Sequence, residues 1–566
     1  RGFDAAVKIN VPESWKTLAD DTKAPDASLP HYIREIQIPV NKQAGDAIPV
    51  SEFMPYADGV TPSETSKYEK RGIAVKVPQW IPENCIGCNK CALVCPHAAI
   101  RPFLLNAEEE AAKPAAFVTK EAKGKGFEGL TFRMQVDPLD CQGCGACANV
   151  CPAKEKALVM ELLDTQMPEQ ENWEHALTLS TKTNPMDKFT VRGSQFERPL
   201  YEFSGACAGC GEAPYMKLMS QLFGDRMFVT SATGCAYVVG SSTPSFPYVA
   251  NEKGHGPANS NSLFEDNAEY ALGMKLSIDQ MRRQMAAHAE AVVASTSDAA
   301  LKSALEAWLA EGDNGDKTRA LSEAVVAALN ATAETSDDIA FLKANKDALP
   351  KKSVWMYGGD GWAYDIGFGG LDHVLASGAD VNVLVVDTEV YSNTGGQASK
   401  ATQLGAVAQF ANGGKRTGKK DLGAIAMTYG NVYVAQVAMG ANEQHLITAL
   451  KEAEAHHGPS ILIAYAPCIN HGISKGMSQA QLEEKLASEC GYWPLWRYVP
   501  ELKAEGKNPF ILTSKEPNGQ LLDFMMGETR FASLTRTFPE TAKVLFAEAE
   551  EFCAQRYAKY KHLAEQ

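Results

Sequence analysis

The sequence predicts an α/β protein whose larger domain contains a doubly wound parallel sheet, with a smaller α+β domain upstream of it. From about residue 180 onward, short apolar runs alternate with helical stretches, as in parallel sheets covered by helices on both faces. Upstream of that point, two copies of one dense cysteine pattern occupy residues 85–95 and 141–151. A length of 566 residues suits about three or four domains.

Composition excludes several classes of function. The chain has 45% hydrophobic and 22% charged residues, as ordinary globular proteins do. Its formal net charge of −15 disfavours non-specific binding to nucleic acids. Its apolar runs are far shorter than the roughly 20 residues of a membrane span, and its start has no signal-peptide core. We therefore expect a cytoplasmic protein without nucleic acid or membrane partners. Because the chain does not begin with Met, we also expect it to be a piece of a longer one.

Eight of the 14 cysteines form two C-x2-C-x2-C-x3-C runs, each followed by proline: Cys85, Cys88, Cys91 and Cys95, and Cys141, Cys144, Cys147 and Cys151. This spacing is typical of two-cluster ferredoxins, in which three close thiolates bind one [4Fe-4S] cluster and the fourth crosses to the other. By this rule the ligands of one cluster are Cys85, Cys88, Cys91 and Cys151, and those of the other are Cys141, Cys144, Cys147 and Cys95. Zinc is disfavoured because zinc ribbons separate two C-x-x-C pairs, and disulfides because cytoplasmic thiols stay reduced.

The cysteine runs, and the alternation of apolar runs with helical stretches that begins near residue 180, divide the chain into three regions. Residues 1–60 are rich in Pro, Asp and Lys, which predicts a linker or the edge of a missing domain. A ferredoxin-like α+β domain is predicted over 61–170, and its insertion, 101–140, is interpreted as surface decoration. The α/β domain is predicted over 180–566.

Within the α/β domain, short apolar runs mark the predicted strands, which are 227–230, 354–357, 381–386, 425–427 and 461–465. A long helix is predicted to begin at the capping-box spacing Ser262-x-x-Glu265 and to continue through Met285. The Ala-rich stretch 287–348 predicts a helical insertion without chemistry.

A third set of cysteines lies in the α/β domain. Cys207 and Cys210 form a C-x-x-C, and Cys235 follows later. A lone C-x-x-C also fits a redox dithiol or half of a zinc site, but eight neighbouring cluster ligands favour a third [4Fe-4S] cluster. Its fourth ligand must come from Cys468, Cys490 or Cys553. Loops at the carboxyl ends of parallel strands gather at one face of the sheet, which favours Cys468.

Two strand ends predict a site for magnesium and a diphosphate. Gly359-Asp360-Gly361 follows one predicted strand, and Thr388-Glu389-Val390 follows the next, about 28 residues after Asp360. Magnesium prefers an octahedron of oxygen atoms, so Asp360 offers a carboxylate, Thr388 a hydroxyl and Val390 a carbonyl, with Asn393 as an alternative ligand. The pattern resembles the G-D-G to N signature of thiamine diphosphate enzymes, except that Thr388 stands about where that family has Asn.

Together these features resemble the C-terminal half of pyruvate:ferredoxin oxidoreductase, most closely in the stretches 203–212, 262–269 and 359–367. The resemblance implies oxidative decarboxylation of pyruvate on thiamine diphosphate and Mg2+, with acetyl transfer to coenzyme A. Electrons are expected to pass singly through three [4Fe-4S] clusters to ferredoxin or flavodoxin. The implied ligands of the third cluster are Cys207, Cys210, Cys235 and Cys468.

The resemblance also assigns the site residues. The implied magnesium ligands are Asp360, Thr388 and Val390, and Asn393 lines the cofactor pocket as the candidate catalytic residue. The candidate cofactor-binding residues are Gly359, Asp360, Gly361, Trp362, Thr388, Val390, Asn393, Cys210 and Cys235. A pyrimidine-binding domain with its activating Glu is expected in an upstream half of the enzyme, and the assembly is expected to be a homodimer.

Two rival functions stay open: an iron–sulfur electron-transfer subunit without thiamine chemistry, and a relative that acts on another 2-oxo acid. His97 is interpreted as a polar residue of a cluster loop and His373 as structural. The basic residues Lys415, Arg416, Lys419 and Lys420 are interpreted as a solvated loop, with docking of an acidic electron carrier or a coenzyme phosphate as the alternative.

Overall fold

The computed structural model describes residues 3–18, 26–241 and 244–566. The chain forms two compact units, residues 1–62 and residues 63–566. Both cysteine runs and the α/β domain belong to the second unit.

The strands of the described residues are β1 Lys76–Trp80, β2 Ile100–Leu105, β3 Lys120–Glu121, β4 Thr131–Val136, β5 Leu158–Leu162, β6 Met227–Ser231, β7 Ala258–Ser260, β8 Ser353–Gly359, β9 Asn382–Asp387, β10 Val390–Tyr391, β11 Gln397–Ala398, β12 Tyr433–Val437, β13 Ser460–Tyr465, β14 Trp496–Tyr498 and β15 Phe510–Leu512. The α-helices are α1 Ile38–Asn41, α2 Lys90–Leu93, α3 Ala107–Ala112, α4 Ala146–Val150, α5 Leu163–Gln166, α6 Glu169–Thr178, α7 Val191–Ser194, α8 Ala213–Phe223, α9 Cys235–Val238, α10 Asn267–Ser295, α11 Ala299–Glu311, α12 Thr318–Ala331, α13 Asp337–Ala344, α14 Phe368–Ser377, α15 Leu422–Met427, α16 Glu443–Ala455, α17 Ala480–Glu489, α18 Leu521–Met526, α19 Thr529–Thr537 and α20 Pro539–Glu565.

The first unit consists of short helical turns. A π-helix over Ile33–Gln37 continues into α1, and 3-10 turns cover Glu13–Thr17 and Val50–Tyr56. Tyr32 and Ile36 are buried, and the Tyr32 ring packs edge-on against Tyr56 with 5.3 Å between centroids. The region predicted as a linker therefore buries a few side chains of its own.

The ferredoxin-like domain is built from two antiparallel pairs, β1 with β5 and β2 with β4, together with the short helices α2 and α4 that carry cysteines. The interpretation of residues 101–140 as surface decoration is wrong. Most of β2 and all of β4 lie there, and Phe132, Met134 and Val136 are buried in the core of this domain. The pairing of β2 with β4 was not predicted because charged loop residues separate the two apolar stretches.

The α/β domain is organised around a sheet that has eight strands within the described residues, in the order β15-β14-β12-β13-β9-β8-β6-β7. The strands from β12 to β7 are parallel, and β14 and β15 form an antiparallel edge. Val383 and Val385 join the core on one face, whereas Leu384 and Val386 join the core on the other. Helices cover both faces, which confirms the predicted doubly wound architecture.

Four of the five predicted strands form, as β6, β8, β9 and β13. The fifth prediction is wrong, because residues 425–427 end helix α15. Asp421 caps that helix by accepting a hydrogen bond from the Ala424 N–H at 3.0 Å. The strand of this segment is β12, which begins at Tyr433. A short apolar run has no period that separates a strand from a buried helical turn.

The long helix α10 begins at Asn267, not at Ser262. The Ser262 hydroxyl and the Leu263 N–H both donate to the Asp266 carboxylate, so these residues form a turn ahead of the helix rather than a capping box. Helices α10 to α13 then pack around a core of their own that includes Met285, Leu305 and Trp308. None of the helices in the described ranges is long and apolar enough to span a bilayer.

Candidate functional site

An oxygen-rich site lies where strands β8 and β9 end. Asp360 directly follows β8 and is fully buried, and Thr388 directly follows β9. The Thr388 N–H and hydroxyl lie 3.3 and 3.1 Å from Asp360 Oδ1, and the same hydroxyl lies 3.0 Å from the Val390 carbonyl oxygen. The structure therefore brings together a carboxylate, a hydroxyl and a carbonyl from two adjacent strand ends, because parallel strands end at one edge of the sheet.

Two serines that the sequence did not reveal complete this cluster of oxygens. Ser399 donates its hydroxyl to Asp360 Oδ2 at 2.5 Å, and Ser392 Oγ lies 2.6 Å from Thr388 Oγ1. Asn393 is exposed in the loop between β10 and β11, and no described hydrogen bond joins it to Asp360 or Thr388. These serines reach the site because the loop folds back over the strand ends, and no local sequence spacing predicts that fold.

The charge of Asp360 is poorly compensated. Burial and the neighbouring negative charge of Asp387 raise the pKa of Asp360 to about 8. A divalent cation beside this carboxylate would stabilise its ionised form. The donors present, a carboxylate, hydroxyls and a carbonyl, are the hard oxygen ligands that Mg2+ prefers, so the residues fit that ion.

The residues that flank Asp360 have different surroundings. A Cβ atom on Gly361 would lie 2.5 Å from the Tyr391 ring, so only glycine fits there. The same atom on Gly359 would meet only the Val386 carbonyl, at 3.8 Å, which leaves space beside the strand end. Trp362 is fully buried in the core on one face of the sheet and supports the loop from below.

A buried ionic network lies behind the site. Asp387 and Glu389 turn away from Thr388, and Lys419 Nζ lies 2.7 Å from Asp387 Oδ2 and 3.0 Å from Glu389 Oε1. Arg530 Nη1 lies 2.7 Å from Glu389 Oε2. Burial alone would raise the pKa of Glu389, but Lys419 and Arg530 outweigh it and lower that pKa to about 2. Glu389 is thus a charged structural anchor for the loop that carries Thr388.

This network corrects the interpretation of the basic residues as a solvated loop. Lys419 is buried, Lys420 donates to the Tyr364 carbonyl at 3.0 Å, and Lys415 donates to the Ser399 carbonyl at 3.1 Å. Of the four basic residues, Arg416 is the exposed one. The loop folds onto the oxygen site instead of extending into solvent. No local pattern predicts this arrangement, because Lys419 pairs with carboxylates about 30 residues away in the sequence.

The eight cysteines of the two runs gather into two groups, each lining its own cavity. Set A consists of Cys85, Cys88, Cys91 and Cys151, and set B consists of Cys95, Cys141, Cys144 and Cys147. These are the groups that the crossing rule assigned, because the last cysteine of each run lies beside the first three of the other. Burial raises the pKa of the Cys144 thiol to about 11, so this free thiol is neutral until iron binds. Four converging thiols fit a [4Fe-4S] cluster.

A third group, set C, consists of Cys207, Cys210, Cys235 and Cys468. Burial and then the nearby charges of Glu212 and the other three cysteines raise the pKa of Cys235. The N–H groups of Glu212 and Asn470 point at the Cys210 and Cys468 sulfurs, at 3.4 and 3.5 Å. Cys490 and Cys553 are buried elsewhere, near each other. Of the three candidates for a fourth ligand, the structure places Cys468 with the set.

One segment joins set C to the oxygen site. Three residues after Cys468, His471 places Nε2 2.7 Å from the Thr388 carbonyl oxygen, and the Asn470 side chain donates to the Ser392 carbonyl at 3.2 Å. Glu212 also lies between the two sites. Burial and the charge of Asp360 raise the pKa of Glu212 to about 8. Sequence reasoning missed this glutamate, although its position two residues after Cys210 was a signal.

Two contacts join set C to set B. His97, two residues after Cys95, places Nε2 2.9 Å from the Ala206 carbonyl oxygen, next to Cys207. The Gly209 N–H hydrogen-bonds to Cys144, and Gly209 has φ +76° with a Cβ position only 2.7 Å from the Met477 carbonyl. Burial lowers the pKa of His97 to about 4, so its ring is neutral. His97 is therefore a buried link between two loops and not simply a polar loop residue, whereas His373 is exposed on α14.

Three family models match parts of the chain. Residues 20–74 match a domain of unknown function, residues 76–154 a 4Fe-4S dicluster domain, and residues 324–464 the C-terminal TPP-binding domain of thiamine pyrophosphate enzymes. The second match contains the members of sets A and B, and the third contains Asp360, Thr388 and Val390.

Whole proteins with similar sequences are about two to three times as long as this chain. The chain is 54% identical over its full length to a pyruvate:ferredoxin oxidoreductase of Moorella thermoacetica and covers 48% of that protein. It is 52% identical over its full length to a pyruvate-flavodoxin oxidoreductase of Klebsiella pneumoniae, again covering 48%. Over 99% of its length it is 44% identical to a mitochondrial pyruvate dehydrogenase [NADP(+)] of Euglena gracilis, of which it covers 31%. The chain thus spans about half the length of the first two relatives.

Proposed function

We propose that this chain, which is related over its full length to the C-terminal half of pyruvate:ferredoxin oxidoreductases, carries the cofactor diphosphate site and the electron path of such an enzyme. The complete enzyme would oxidise pyruvate to acetyl-CoA and carbon dioxide and reduce ferredoxin or flavodoxin. The observation that carries the proposal is the direct connection of set C to the oxygen site through Cys468 and His471.

The oxygen site is proposed to hold Mg2+ and the diphosphate of thiamine diphosphate. Asp360 provides the carboxylate ligand, Thr388 its hydroxyl and Val390 its carbonyl. The open space beside Gly359 admits the phosphates close to the backbone. His471 and the Lys419–Glu389 pair fix the loop from behind, so that the ligands are preorganised.

Thiamine diphosphate, when bound, supplies an electron sink for the loss of carbon dioxide from a 2-oxo acid. The residues of this chain would orient the cofactor, and its cysteine sets would provide the path by which electrons leave it. Glu212, buried between Asp360 and set C, lies where the cofactor site meets the electron path. Asn393 lies in the exposed loop before β11, and we propose from the family resemblance that it lines the cofactor pocket as the candidate catalytic residue.

The three cysteine sets are proposed to hold three [4Fe-4S] clusters. Their order follows from their contacts: set C lies beside the oxygen site, and the Gly209 N–H and the His97 ring join set C to set B. Set B lies beside set A, because Cys147 is close to Cys91. Electrons are therefore expected to pass from set C to set B and then to set A, from which the external carrier collects them.

The remaining parts of the reaction are assigned to other chain segments and partners. The upstream half is proposed to supply the pyrimidine-binding domain with its activating Glu, together with recognition of the pyruvate carboxylate and of coenzyme A. A homodimer is proposed from the family resemblance alone. Because cluster ligands must remain reduced thiols, the proposed compartment is the cytoplasm.

The rival function as an electron-transfer subunit leaves the oxygen site without a purpose. Burial raises the pKa of Asp360 despite its hydrogen bonds from Thr388 and Ser399, and a structural protein gains nothing from burying a carboxylate that is so costly to ionise. Action on a different 2-oxo acid is consistent with the same site, and the similarity to enzymes named for pyruvate is what favours pyruvate.

The function is tested by comparing the full-length enzyme with its Asp360→Ala variant under anaerobic conditions. We expect the parent to reduce ferredoxin or flavodoxin only when pyruvate and coenzyme A are both present. The variant should lose this reduction while dithionite still reduces its clusters. A variant that retains the parent's pyruvate-dependent rate would contradict the proposal.

A further inference from the structure

Lys217 is a buried cation whose position is not explained by the fold alone. It lies on α8, seven residues after Cys210, and its side chain is 1% exposed. Its Nζ donates to the Ala92 carbonyl, to the Leu93 carbonyl at 2.9 Å and to Gln195 Oε1 at 3.2 Å. All three partners are neutral acceptors.

The acceptors lie between two cluster sets. Ala92 and Leu93 end helix α2, which carries Cys91 of set A and leads to Cys95 of set B. An ammonium group at the carboxyl end of a helix satisfies carbonyls that have no partner within the helix. A side-chain amide or a neutral amine has only two N–H donors, so three acceptors match the three donors of a charged ammonium group.

The surroundings of Lys217 lack a compensating carboxylate. The groups of the described chain that act electrostatically on Lys217 include the Arg101 guanidinium, which is itself paired with Glu202, and the cysteines Cys95 and Cys91. Burying an unpaired ammonium is unfavourable. Burial lowers the pKa of Lys217 to about 7, and negative charge on Cys95 or Cys91 acts in the opposite direction.

We propose that Lys217 is the built-in counter-ion of the two ferredoxin-type clusters and raises their reduction potentials. The inference rests on the clusters of the proposed function. Cys95 and Cys91 acquire negative charge when they bind iron, which supplies the missing partner of the ammonium. Each one-electron reduction adds another negative charge, and a fixed cation nearby favours that reduced form. Lys217 is thus a positioning residue that acts on the electron path without touching iron.

The test is a redox titration of each cluster by electron paramagnetic resonance in the full-length enzyme. Lys217→Gln keeps two of the three N–H donors but removes the charge. We expect it to lower the one-electron equilibrium constant for reducing the set B cluster by about tenfold, which equals about 59 mV. The set A cluster should also shift and the set C cluster should shift least, because Lys217 contacts the end of helix α2, which carries Cys91 of set A and leads to Cys95 of set B.

Lys90→Gln is the matched control. Lys90 is a lysine on α2 itself, but it is partly exposed and paired with Glu443 at 2.6 Å. Loss of its charge should move the potentials much less than loss of Lys217. Equal shifts in the two variants, or an unchanged set B potential in Lys217→Gln with full iron content, would overturn the proposal.

Iron content separates this inference from the proposed function. A parent enzyme without the iron of sets A and B would refute the clusters themselves, whereas a loaded parent with unmoved potentials in Lys217→Gln refutes only the role of Lys217. If Lys217→Gln fails to load iron, Lys217→Arg and Lys217→Met are compared. The counter-ion account requires the Arg variant to load and the Met variant to fail, and equal loss in both contradicts it.

Discussion

The two ferredoxin-type cysteine sets and the strand-end region, which combines set C with the oxygen site, are assembled in opposite ways. Sets A and B each draw three members from one short run of sequence, so spacing alone defines most of the site. Set C and the oxygen site draw on segments from residue 207 to residue 471 that meet only because parallel strands end at a common edge. The first kind of site tolerates changes elsewhere in the fold, whereas the second depends on the sheet and on the loops that follow it.

The largest effect is expected at the oxygen site. Asp360→Ala removes the carboxylate that accepts hydrogen bonds from Thr388, and changes to residues that merely support metal ligands already cost about 10–100-fold in affinity. We expect magnesium-dependent binding of thiamine diphosphate to weaken by more than about 100-fold, while all three clusters stay in place. Calorimetric titration of the full-length enzyme, with iron content as the control, measures both. Unchanged cofactor affinity would show that the site lies elsewhere.

Removing one ligand of set C tests whether the two kinds of site are independent. Cys235→Ser should lower the iron content by about four atoms per chain and leave the spectroscopic signals of sets A and B near those of the parent. Chemical iron analysis and low-temperature electron paramagnetic resonance distinguish these outcomes. Loss of all iron together would mean that the strand-end region and the ferredoxin-like domain do not fold independently of each other.

The choice of the fourth ligand of set C gives a smaller but sharper comparison. Cys468→Ala should disturb that cluster and slow reoxidation of the cofactor. Cys490→Ala and Cys553→Ala should retain full iron, with a cost of about 1 kcal/mol in stability because both thiols are buried in the core. Iron analysis of the three variants shows which of these cysteines is the fourth ligand of set C. If Cys490→Ala lost iron and Cys468→Ala did not, the strand-end argument would be wrong.

The smallest effects concern the neighbours of Asp360. Thr388→Ala should weaken cofactor binding by about tenfold, because the Val390 carbonyl and a water keep the coordination octahedral. Glu389→Gln should change cofactor affinity least, since Glu389 faces Lys419 and Arg530 instead of the site. It should nevertheless lower the free energy of unfolding by about 1–3 kcal/mol, because Lys419 and Arg530 each lose one of two buried carboxylate partners and keep the other, Asp387 or Glu528. A reversed order of affinities would mean that Glu389 faces the metal.

Sequence reasoning was more successful for sets A and B than for the strand-end region. The members of sets A and B could be predicted because three thiols spaced three residues apart converge on one cluster and the fourth of each run crosses to the other. The strands β8 and β9 could be predicted because they are continuous apolar runs between turn residues. The strand β12 was missed, since Tyr433 and its neighbours look no more strand-like than the helical run 425–427 just before them.

The partners of the oxygen site were less accessible to sequence reasoning. Asp360 follows a recognisable Gly-Asp-Gly turn, but Ser399 and His471 reach it only through the way loops close over the strand ends. Lys419 looked like part of a solvated basic loop because its two carboxylate partners precede it by about 30 residues. Glu212 gave a local signal, since it follows the C-x-x-C of set C, yet its place beside Asp360 depends on the topology of the sheet.

The most direct test of the account is the iron and acid-labile sulfide content of the anaerobically prepared full-length enzyme. Three cysteine sets predict about twelve iron and about twelve sulfide per chain, because each set provides the four thiolates that one cube requires. The count includes the cluster whose ligands only the fold brings together. About eight of each would contradict the account, because sets A and B would then hold the only clusters and the strand-end region would have no electron path of its own.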